Sequence, residues 1–229
     1  SAATRLRRLM EDAEIIVLEK GPYVSFANCG LPYFIAGEIT TRDQLLLQTP
    51  ESLMARFGLD VRPNQEVLAI HPEQKTVTIH RDSETYEESY DKLILAPGAK
   101  AIIPKIPGLD RATNCRQLRN VPDMDAILQK IDQHTRQAVV VGAGFIGLEM
   151  AESLKNRGLE VTVVEKASQV LPSMDEEMAA YVKNELIAKG IKVITGQSAV
   201  SFEEEGKKIR LEDDTVLDSD LTLLSIGVQ

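Results

Sequence analysis

The sequence is poor in cysteine and has no tryptophan. Its 229 residues include two cysteines, Cys29 and Cys115, only three histidines and 4% aromatic residues. Two cysteines cannot form the disulfide framework of a small secreted domain, and so sparse a use of cysteine favours a reducing compartment such as the cytoplasm. No metal-ligating pattern is predicted.

Long apolar runs and an excess of positive charge are also missing. No stretch reaches the roughly 18 consecutive apolar residues that a membrane span needs, and no secretory signal is recognisable at the start. The net charge of −9 argues against nucleic acid or an anionic membrane as the main partner. With 43% hydrophobic residues, the chain can build one large domain or two small ones.

Two segments of the chain resemble each other. Each is a charged helix end followed by an apolar, β-branched run that finishes in Glu-Lys, at residues 5–20 and again at residues 153–166. Such a run is typical of a strand buried on both faces of a parallel sheet. Aligning Glu19 with Glu165 places Ser1 near Gly147, so the chain starts where a first glycine-rich turn is expected to end. We therefore expect an α/β piece of a longer protein with two nested, doubly wound Rossmann-like domains, the first of them incomplete.

The second copy carries a glycine-rich loop. The run AVVVGAGFIGLE places a strand before G-x-G-x-x-G and a helix after it. Gly142 permits the tight turn, Gly144 lets a pyrophosphate approach the backbone, and Gly147 allows the helix to pack closely on the strand. Glu165 ends the next strand and can accept hydrogen bonds from both ribose hydroxyls of an adenosine. The pattern predicts dinucleotide binding and favours NADH over NADPH, although Lys166 offers a positive charge next to Glu165.

The remaining elements are less distinctive. We predict strands at 67–70 and 75–80 with a polar hairpin tip at 81–89, a strand at 92–99 broken by Pro97 and Gly98, a proline-punctuated linker at 104–122, and a buried strand at 221–227.

Five segments resemble one family. They are SFANCGLPY (25–33), LLLQTPE (45–51), SYDKLILAPGA (89–99), LRNVPDMD (118–125) and VVVGAGFIGLEMAE (139–152). Together they resemble the single-cysteine branch of the flavin-dependent pyridine nucleotide–disulfide oxidoreductases, above all the coenzyme A-disulfide, polysulfide and persulfide reductases. The resemblance implies an incomplete FAD-binding domain at residues 1–110, an NAD(P)H-binding domain at 117–229, and a C-terminal dimerisation domain that this chain lacks. It also implies a cytoplasmic homodimer.

Cys29 stands alone where dithiol members of this superfamily carry two cysteines. The corresponding second position is Phe34, so the resemblance implies a mixed disulfide with a small thiol, a persulfide or a sulfenic acid at Cys29. Cys29 is expected to open a short helix whose N-terminus stabilises a thiolate, with Pro32 in the first turn. Cys115 lacks such a context and is expected to be structural.

The resemblance also implies roles for other positions. Glu19 would bind the adenosine ribose of FAD, and Glu149 would lie near the nicotinamide of NADH. The further cofactor-binding positions are Lys20, Val67, Ala96, Pro97, Gly98, Phe145 and Ile146. The positions expected to bind CoA are Ser1, Arg5, Arg8, Ser25, Asn28 and Arg56, the last standing beside Phe57 where the family has a lysine.

The basic cluster at the start of the chain has two interpretations. Arg5, Arg7 and Arg8 suit a solvated helix face, whereas the resemblance makes Arg5 and Arg8 a phosphate clamp. Arg7, which points in a different direction on the helix, is then expected to be silent.

The resemblance implies electron transfer from NAD(P)H through FAD to Cys29, which reduces CoA-disulfide, polysulfide or persulfide. Two alternatives stay open, an NADH oxidase or peroxidase of the same superfamily and a fragment that binds NAD(H) without turnover.

Overall fold

The computed structural model describes residues 1–229 and contains six α-helices and fifteen strands. The helices are α1 (Ala2–Leu9), α2 (Leu31–Ala36), α3 (Pro50–Phe57), α4 (Val121–Lys130), α5 (Phe145–Asn156) and α6 (Glu176–Ala188). The strands are β1 (Ile16–Leu18), β2 (Ser25–Phe26), β3 (Leu46–Gln48), β4 (Asp60–Arg62), β5 (Gln65–His71), β6 (Thr76–Arg81), β7 (Glu84–Ser89), β8 (Cys115–Arg116), β9 (Gln137–Val141), β10 (Glu160–Glu165), β11 (Lys192–Thr195), β12 (Ala199–Glu203), β13 (Lys208–Leu211), β14 (Val216–Asp218) and β15 (Leu221–Leu224). None of the helices has the length and apolar character needed to cross a membrane.

The chain divides into two compact units. The first unit comprises Ser1–Ala27 and Arg42–Pro97, and the second comprises Asn28–Thr41 and Gly98–Gln229. The second unit therefore contains the segment around Cys29 as well as the glycine-rich loop.

The first unit has a small core around a parallel strand pair. β1 pairs with β4, and the buried side chains of Ile15, Leu53, Leu59 and Val61 form a cluster between the strands and α3. α3 starts at a capping box, in which the Thr49 hydroxyl accepts the backbone N–H of Ser52 and the Ser52 hydroxyl accepts that of Thr49. The first copy of the repeat thus forms the expected helix and strand, but its strand is short and only half-buried.

A three-stranded antiparallel sheet, β5-β6-β7, completes the first unit. The two predicted strands are confirmed, but the prediction of a polar tip at residues 81–89 is wrong because Glu84–Ser89 forms β7. Polar side chains hold this third strand in place. The Tyr86 hydroxyl donates to Gln65 Oε1 at 2.5 Å, and Glu88 forms an ion pair with Arg62 at 2.5 Å.

The strand predicted at residues 92–99 is absent. The side chains of Ile94 and Leu95 are 63% and 66% exposed, and no neighbouring strand pairs with this segment. Apolar composition favours burial, but a strand also needs a hydrogen-bonding edge beside it. This segment finds no such edge within the chain.

A five-stranded parallel sheet forms the centre of the second unit. Its strand order is β11-β10-β9-β15-β8, and α5 connects β9 to β10. The predicted strand–loop–helix–strand motif is therefore confirmed. The predicted final strand is shorter than expected: all four residues of β15 are buried, and the strand ends at Leu224 rather than at Gly227. The antiparallel strands β12, β13 and β14 form a second sheet, which shares a core with the central one.

Candidate functional site

The three glycines of the loop between β9 and α5 differ in whether the fold leaves room for a side chain. A Cβ atom on Gly142 would lie 2.3 Å from the Ser225 carbonyl oxygen, and one on Gly147 would lie 2.0 Å from the Gly142 carbonyl oxygen. Both positions therefore exclude any side chain. A Cβ atom on Gly144 would meet nothing within 4 Å, and its φ of −75° suits any residue. Nothing within the chain requires glycine at 144, so the space above it is open to a ligand.

Glu165 holds the glycine loop in place. Its Oε2 accepts the backbone N–H of Ala143 at 2.6 Å, and its Oε1 accepts that of Ala167 at 2.8 Å. Leu171 binds the other side of the same peptide region, since its N–H donates to the Ala143 carbonyl at 2.8 Å. Leu171 is buried and has a φ of 45°, a conformation that costs a non-glycine residue about 1–3 kcal/mol. The loop is thus fixed from both sides by the segment that follows β10.

Glu19 makes the same local contact in the first unit. Its Oε1 accepts the backbone N–H of Gly21, two residues further on, at 2.7 Å. Glu165 and Ala167 form the matching bond. The internal repeat therefore extends from sequence to hydrogen bonding, and in both copies the carboxylate retains lone pairs for further hydrogen bonds.

Three candidate cofactor residues lie on the first turns of α5. The side chains of Phe145 and Ile146 are 63% and 47% exposed, and Glu149 is exposed one turn further along. Phe145 and Glu149 line a groove of about 540 Å³ between α5 and α6, together with Tyr181. Lys189 and Glu152 form an ion pair of 2.6 Å in the same groove. The groove combines an apolar floor with charged side chains.

Cys29 is exposed and lies in a 3₁₀ turn, Asn28–Gly30, that runs directly into α2. Pro32 occupies the first turn of α2, as expected. Leu31 and Ile35 are fully buried on one side of α2, which packs against α4 and α5. Cys29 is thus an accessible thiol on a short helical segment whose opposite side is buried.

Cys115 has the opposite environment. It lies in β8, its Sγ is 3.9 Å from Asn114 Oδ1, and burial raises the pKa of its thiol to about 11. A thiol with that pKa stays protonated at neutral pH and is a poor nucleophile. This environment suits a structural residue.

The basic cluster on α1 separates into two parts. Arg5 and Arg8 are exposed and lie one turn apart, on the side of the helix that also carries Ser1. Arg7 donates instead to the carbonyls of Phe57 and Gly58, at 2.8 and 2.9 Å, and to that of Glu11. Arg7 is therefore not a solvated residue, because its guanidinium binds carbonyls at the C-terminal end of α3, where a cation is favoured. Its silence toward the substrate stays a prediction.

The other candidate residues are spread over both units. Lys20 forms an ion pair of 2.6 Å with Glu66, and Arg56 lies over the ring of Phe57 with its Cζ 5.1 Å from the ring centroid. Ser25 lies in β2 and is half-buried. The exposed candidates in this group are Lys20, Asn28, Arg56, Val67, Ala96, Pro97 and Gly98. Among the described residues, no group of three or more His, Cys, Asp or Glu side chains is placed to bind a metal.

The sequence reasoning missed two residues that bind the backbone of the candidate site. Leu171 is one, and Arg157 is the other, since its Nε donates to the Ile35 carbonyl at the end of α2. A leucine with positive φ leaves no pattern in a sequence. An arginine followed by glycine at a helix end is so common that it indicates only the end of the helix.

Comparison with known proteins places the chain among redox enzymes. The family model described as pyridine nucleotide-disulphide oxidoreductase matches residues 1–229. The coenzyme A disulfide reductase of Staphylococcus haemolyticus is 41% identical over 207 residues, which are 89% of this chain and 46% of that protein. The NADH oxidase of Methanocaldococcus jannaschii is 34% identical over 100% of this chain and 52% of that protein.

Solved structures agree with this placement. Reduced CoADR-RHD of Bacillus anthracis shares 50% identity and a TM-score of 0.97 over 99% of this chain and 41% of its own. An NAD-dependent persulfide reductase from A. fulgidus shares 34% identity and a TM-score of 0.95 over 100% of this chain and 44% of its own. The chain spans about half the length of the curated relatives that it matches. With a family model that matches its whole length, the chain belongs to the pyridine nucleotide-disulphide oxidoreductase family.

Proposed function

We propose that the loop between β9 and α5 binds NADH. The observation that carries this proposal is Gly144, the one glycine of the motif for which the fold itself has no steric need. The open space above it, the N-terminus of α5 and the adjacent carboxylate of Glu165 suit a pyrophosphate and a ribose. A 2′-phosphate would meet the negative charge of Glu165, so NADH is preferred over NADPH.

Gly144→Ala tests this site. The variant should fold with the stability of the wild type, because the added methyl group faces open space, while NADH binding should weaken at least about tenfold. Thermal unfolding and titration with NADH and NADPH measure the two effects. Unchanged NADH affinity in the folded variant would contradict the proposal.

FAD is the second cofactor that we propose, bound by residues of the first unit together with Gly98, which directly follows it in the chain. Glu19 directly follows β1, much as Glu165 ends β10, and its Oε2 is left for a ribose hydroxyl once Oε1 has accepted the Gly21 N–H. Lys20 and Val67 lie near it along the chain or in the adjoining β5, and the exposed Ala96, Pro97 and Gly98 complete the set carried over from the family. When bound, FAD would accept a hydride from the nicotinamide and pass the electron pair to sulfur.

Cys29 is the proposed redox residue. Its thiolate attacks one sulfur of a disulfide RSSR′, the S–S bond breaks, and R′S⁻ leaves and takes up a proton. The Cys29 mixed disulfide is then reduced by the electron pair from NADH, which releases RSH and restores the thiolate. The balance is NADH + H⁺ + RSSR′ → NAD⁺ + RSH + R′SH. With a persulfide, RSSH takes the place of RSSR′ and sulfide takes the place of one thiol.

CoA-disulfide is the proposed substrate, with persulfide or polysulfide as the closest competitor. Arg5 and Arg8 present two exposed guanidinium groups one turn apart, a geometry that suits phosphate. Ser1, Ser25, Asn28 and Arg56 are the other proposed substrate-binding residues. Glu149, Phe145 and Ile146 would contact the nicotinamide half of NADH from α5.

Cys29→Ser separates this function from its alternatives. In the FAD-loaded enzyme, the variant should lose reduction of CoA-disulfide and persulfide, whereas flavin reduction by NADH should persist. An NADH oxidase is the second candidate, favoured by the relative of that name, and would show NADH consumption that depends on oxygen instead of a disulfide. The flavin absorbance of the purified chain tests whether this chain alone binds FAD or only NAD(H).

We propose further that the active enzyme is a cytoplasmic homodimer. Gel filtration and light scattering of the FAD-loaded enzyme test the oligomeric state.

A further inference from the structure

Arg157 connects the nucleotide-binding helix to the segment that carries Cys29. It is the C-cap residue of α5, and its Nε donates to the backbone carbonyl of Ile35 in the last turn of α2. The guanidinium also lies against Gly37, since a Cβ atom on that glycine would be 3.7 Å from the Arg157 Cζ. All of these residues belong to the second unit.

The carbonyl of Ile35 is free for this contact because no backbone N–H of the chain turn after α2 takes it up. Gly37 adopts a φ of 88° and ends the helix, and its N–H binds back to the carbonyls of Phe34 and Tyr33. Those two carbonyls are therefore satisfied by the backbone. The Ile35 carbonyl receives the side chain of Arg157, a cation placed at the negative end of the helix dipole.

The apolar contacts of α2 do not by themselves fix its direction. Leu31, Pro32 and Ile35 are the buried residues of this six-residue helix. Apolar contacts are non-directional, so this buried side restrains the direction of α2 less strictly than a hydrogen bond does. The side chain of Arg157 adds such a directional hydrogen bond at the C-terminal end of α2. Because the 3₁₀ turn of Asn28–Gly30 continues directly into α2, a change in the direction of α2 moves Cys29.

We propose that Arg157 is a positioning residue for Cys29. It holds the Cys29 segment on the same helix, α5, that begins at the nucleotide-binding loop. This inference rests on the proposed function, in which Cys29 is the residue that reacts with the disulfide. Reactions that need a sulfur atom in line with its partner lose rate steeply when that atom is displaced.

The test uses the FAD-loaded enzyme with Arg157→Ala, Arg157→Lys, and Arg136→Ala as the matched control. Arg136 is an exposed arginine of the same unit, directly before β9. We expect Arg157→Ala to lower the rate of CoA-disulfide reduction about tenfold and to slow alkylation of Cys29, while flavin reduction by NADH stays within about twofold. Lysine keeps the charge and a donor but not the planar group against Gly37. Arg157→Lys should therefore fold, and its rate of CoA-disulfide reduction should fall about threefold. Arg136→Ala should match the wild type throughout.

The outcomes are distinguishable. If Cys29→Ser retains disulfide turnover, the proposed function fails and this inference fails with it. If Cys29→Ser is inactive but neither Arg157 variant changes Cys29 alkylation or disulfide turnover, only the positioning role is overturned. Equal losses in stability, flavin reduction and disulfide turnover would show a general structural role and would also overturn it.

Discussion

The two cysteines of the chain should differ strongly in reactivity, and the structure gives the size of the difference. Burial raises the pKa of Cys115 to about 11, so at pH 8 about one thiol in a thousand is ionised. Without burial, a thiol with the reference pKa of about 8.5 would be about one quarter thiolate at the same pH, so burial lowers the thiolate fraction of Cys115 by about 200-fold. A thiolate of higher pKa is intrinsically more nucleophilic, which reduces the advantage by about tenfold. The expected ratio of the two alkylation rates is therefore about 20-fold, and poorer access of the reagent to Cys115 would increase it.

Alkylation followed by peptide mass spectrometry measures this ratio. After reduction with dithiothreitol and its removal, iodoacetamide at pH 8 should label exposed Cys29 at least about 20 times faster than Cys115. Labelling of Cys115 should rise about tenfold per pH unit up to about pH 11, for as long as the chain stays folded. Cys115→Ala serves as the control and should leave the rate at Cys29 unchanged. Comparable labelling of both cysteines at pH 8 in the folded chain would refute the assignment of Cys115 as half-buried and structural.

The remaining predictions concern stability and cofactor choice. Arg7→Ala should lower the free energy of unfolding by about 1–2 kcal/mol in a urea titration, because three carbonyls lose a charged donor, whereas Arg8→Ala should stay within about 0.5 kcal/mol. Arg8→Ala should raise the KM for CoA-disulfide and leave that for polysulfide unchanged, an effect that shrinks as salt is added and that would be missing if Arg8 only faced solvent. Glu165→Ala should weaken NADH binding about tenfold or more without creating a preference for NADPH, since the Ala143 N–H loses its acceptor; a clean switch to NADPH would contradict this. Asn114→Ala should cost about 2–4 kcal/mol in thermal unfolding, because two buried carbonyls lose their donor, and a loss below about 1 kcal/mol would show that water replaces it.

Much of the second unit could be predicted from the sequence. The strand, the glycine loop, the helix and the acidic residue at 165 follow one another along the chain, and both of the sterically required glycines can be assigned from spacing. Local patterns suffice there because the motif is built from consecutive residues. The short helix after Cys29 was predictable for the same reason, since Gly30 and Pro32 mark its beginning.

The errors arose where pairing or a distant carbonyl decides the structure. The polar composition of residues 84–89 predicts a hairpin tip, yet Tyr86 and Glu88 bind Gln65 and Arg62, more than twenty residues away. The apolar segment around Ile94 has strand composition but no partner strand. The periodicity of α1 gives Arg7 no partner, yet in the structure its guanidinium binds carbonyls at the end of α3. Composition carries no information about such contacts.

The two anchors of the glycine loop divide the following segment into fixed and free residues. Glu165 and Leu171 each bind the Ala143 region through a hydrogen bond, whereas Lys166 and Ser168 between them are exposed. The segment is therefore a short loop whose two ends are fixed by hydrogen bonds to the glycine loop. If the loop binds NADH as proposed, replacing these exposed positions should change which adenosine ribose is accepted and leave the shape of the glycine loop unchanged. Redesign of nucleotide preference should thus begin at Lys166 and Ser168 and leave Glu165 and Leu171 unchanged.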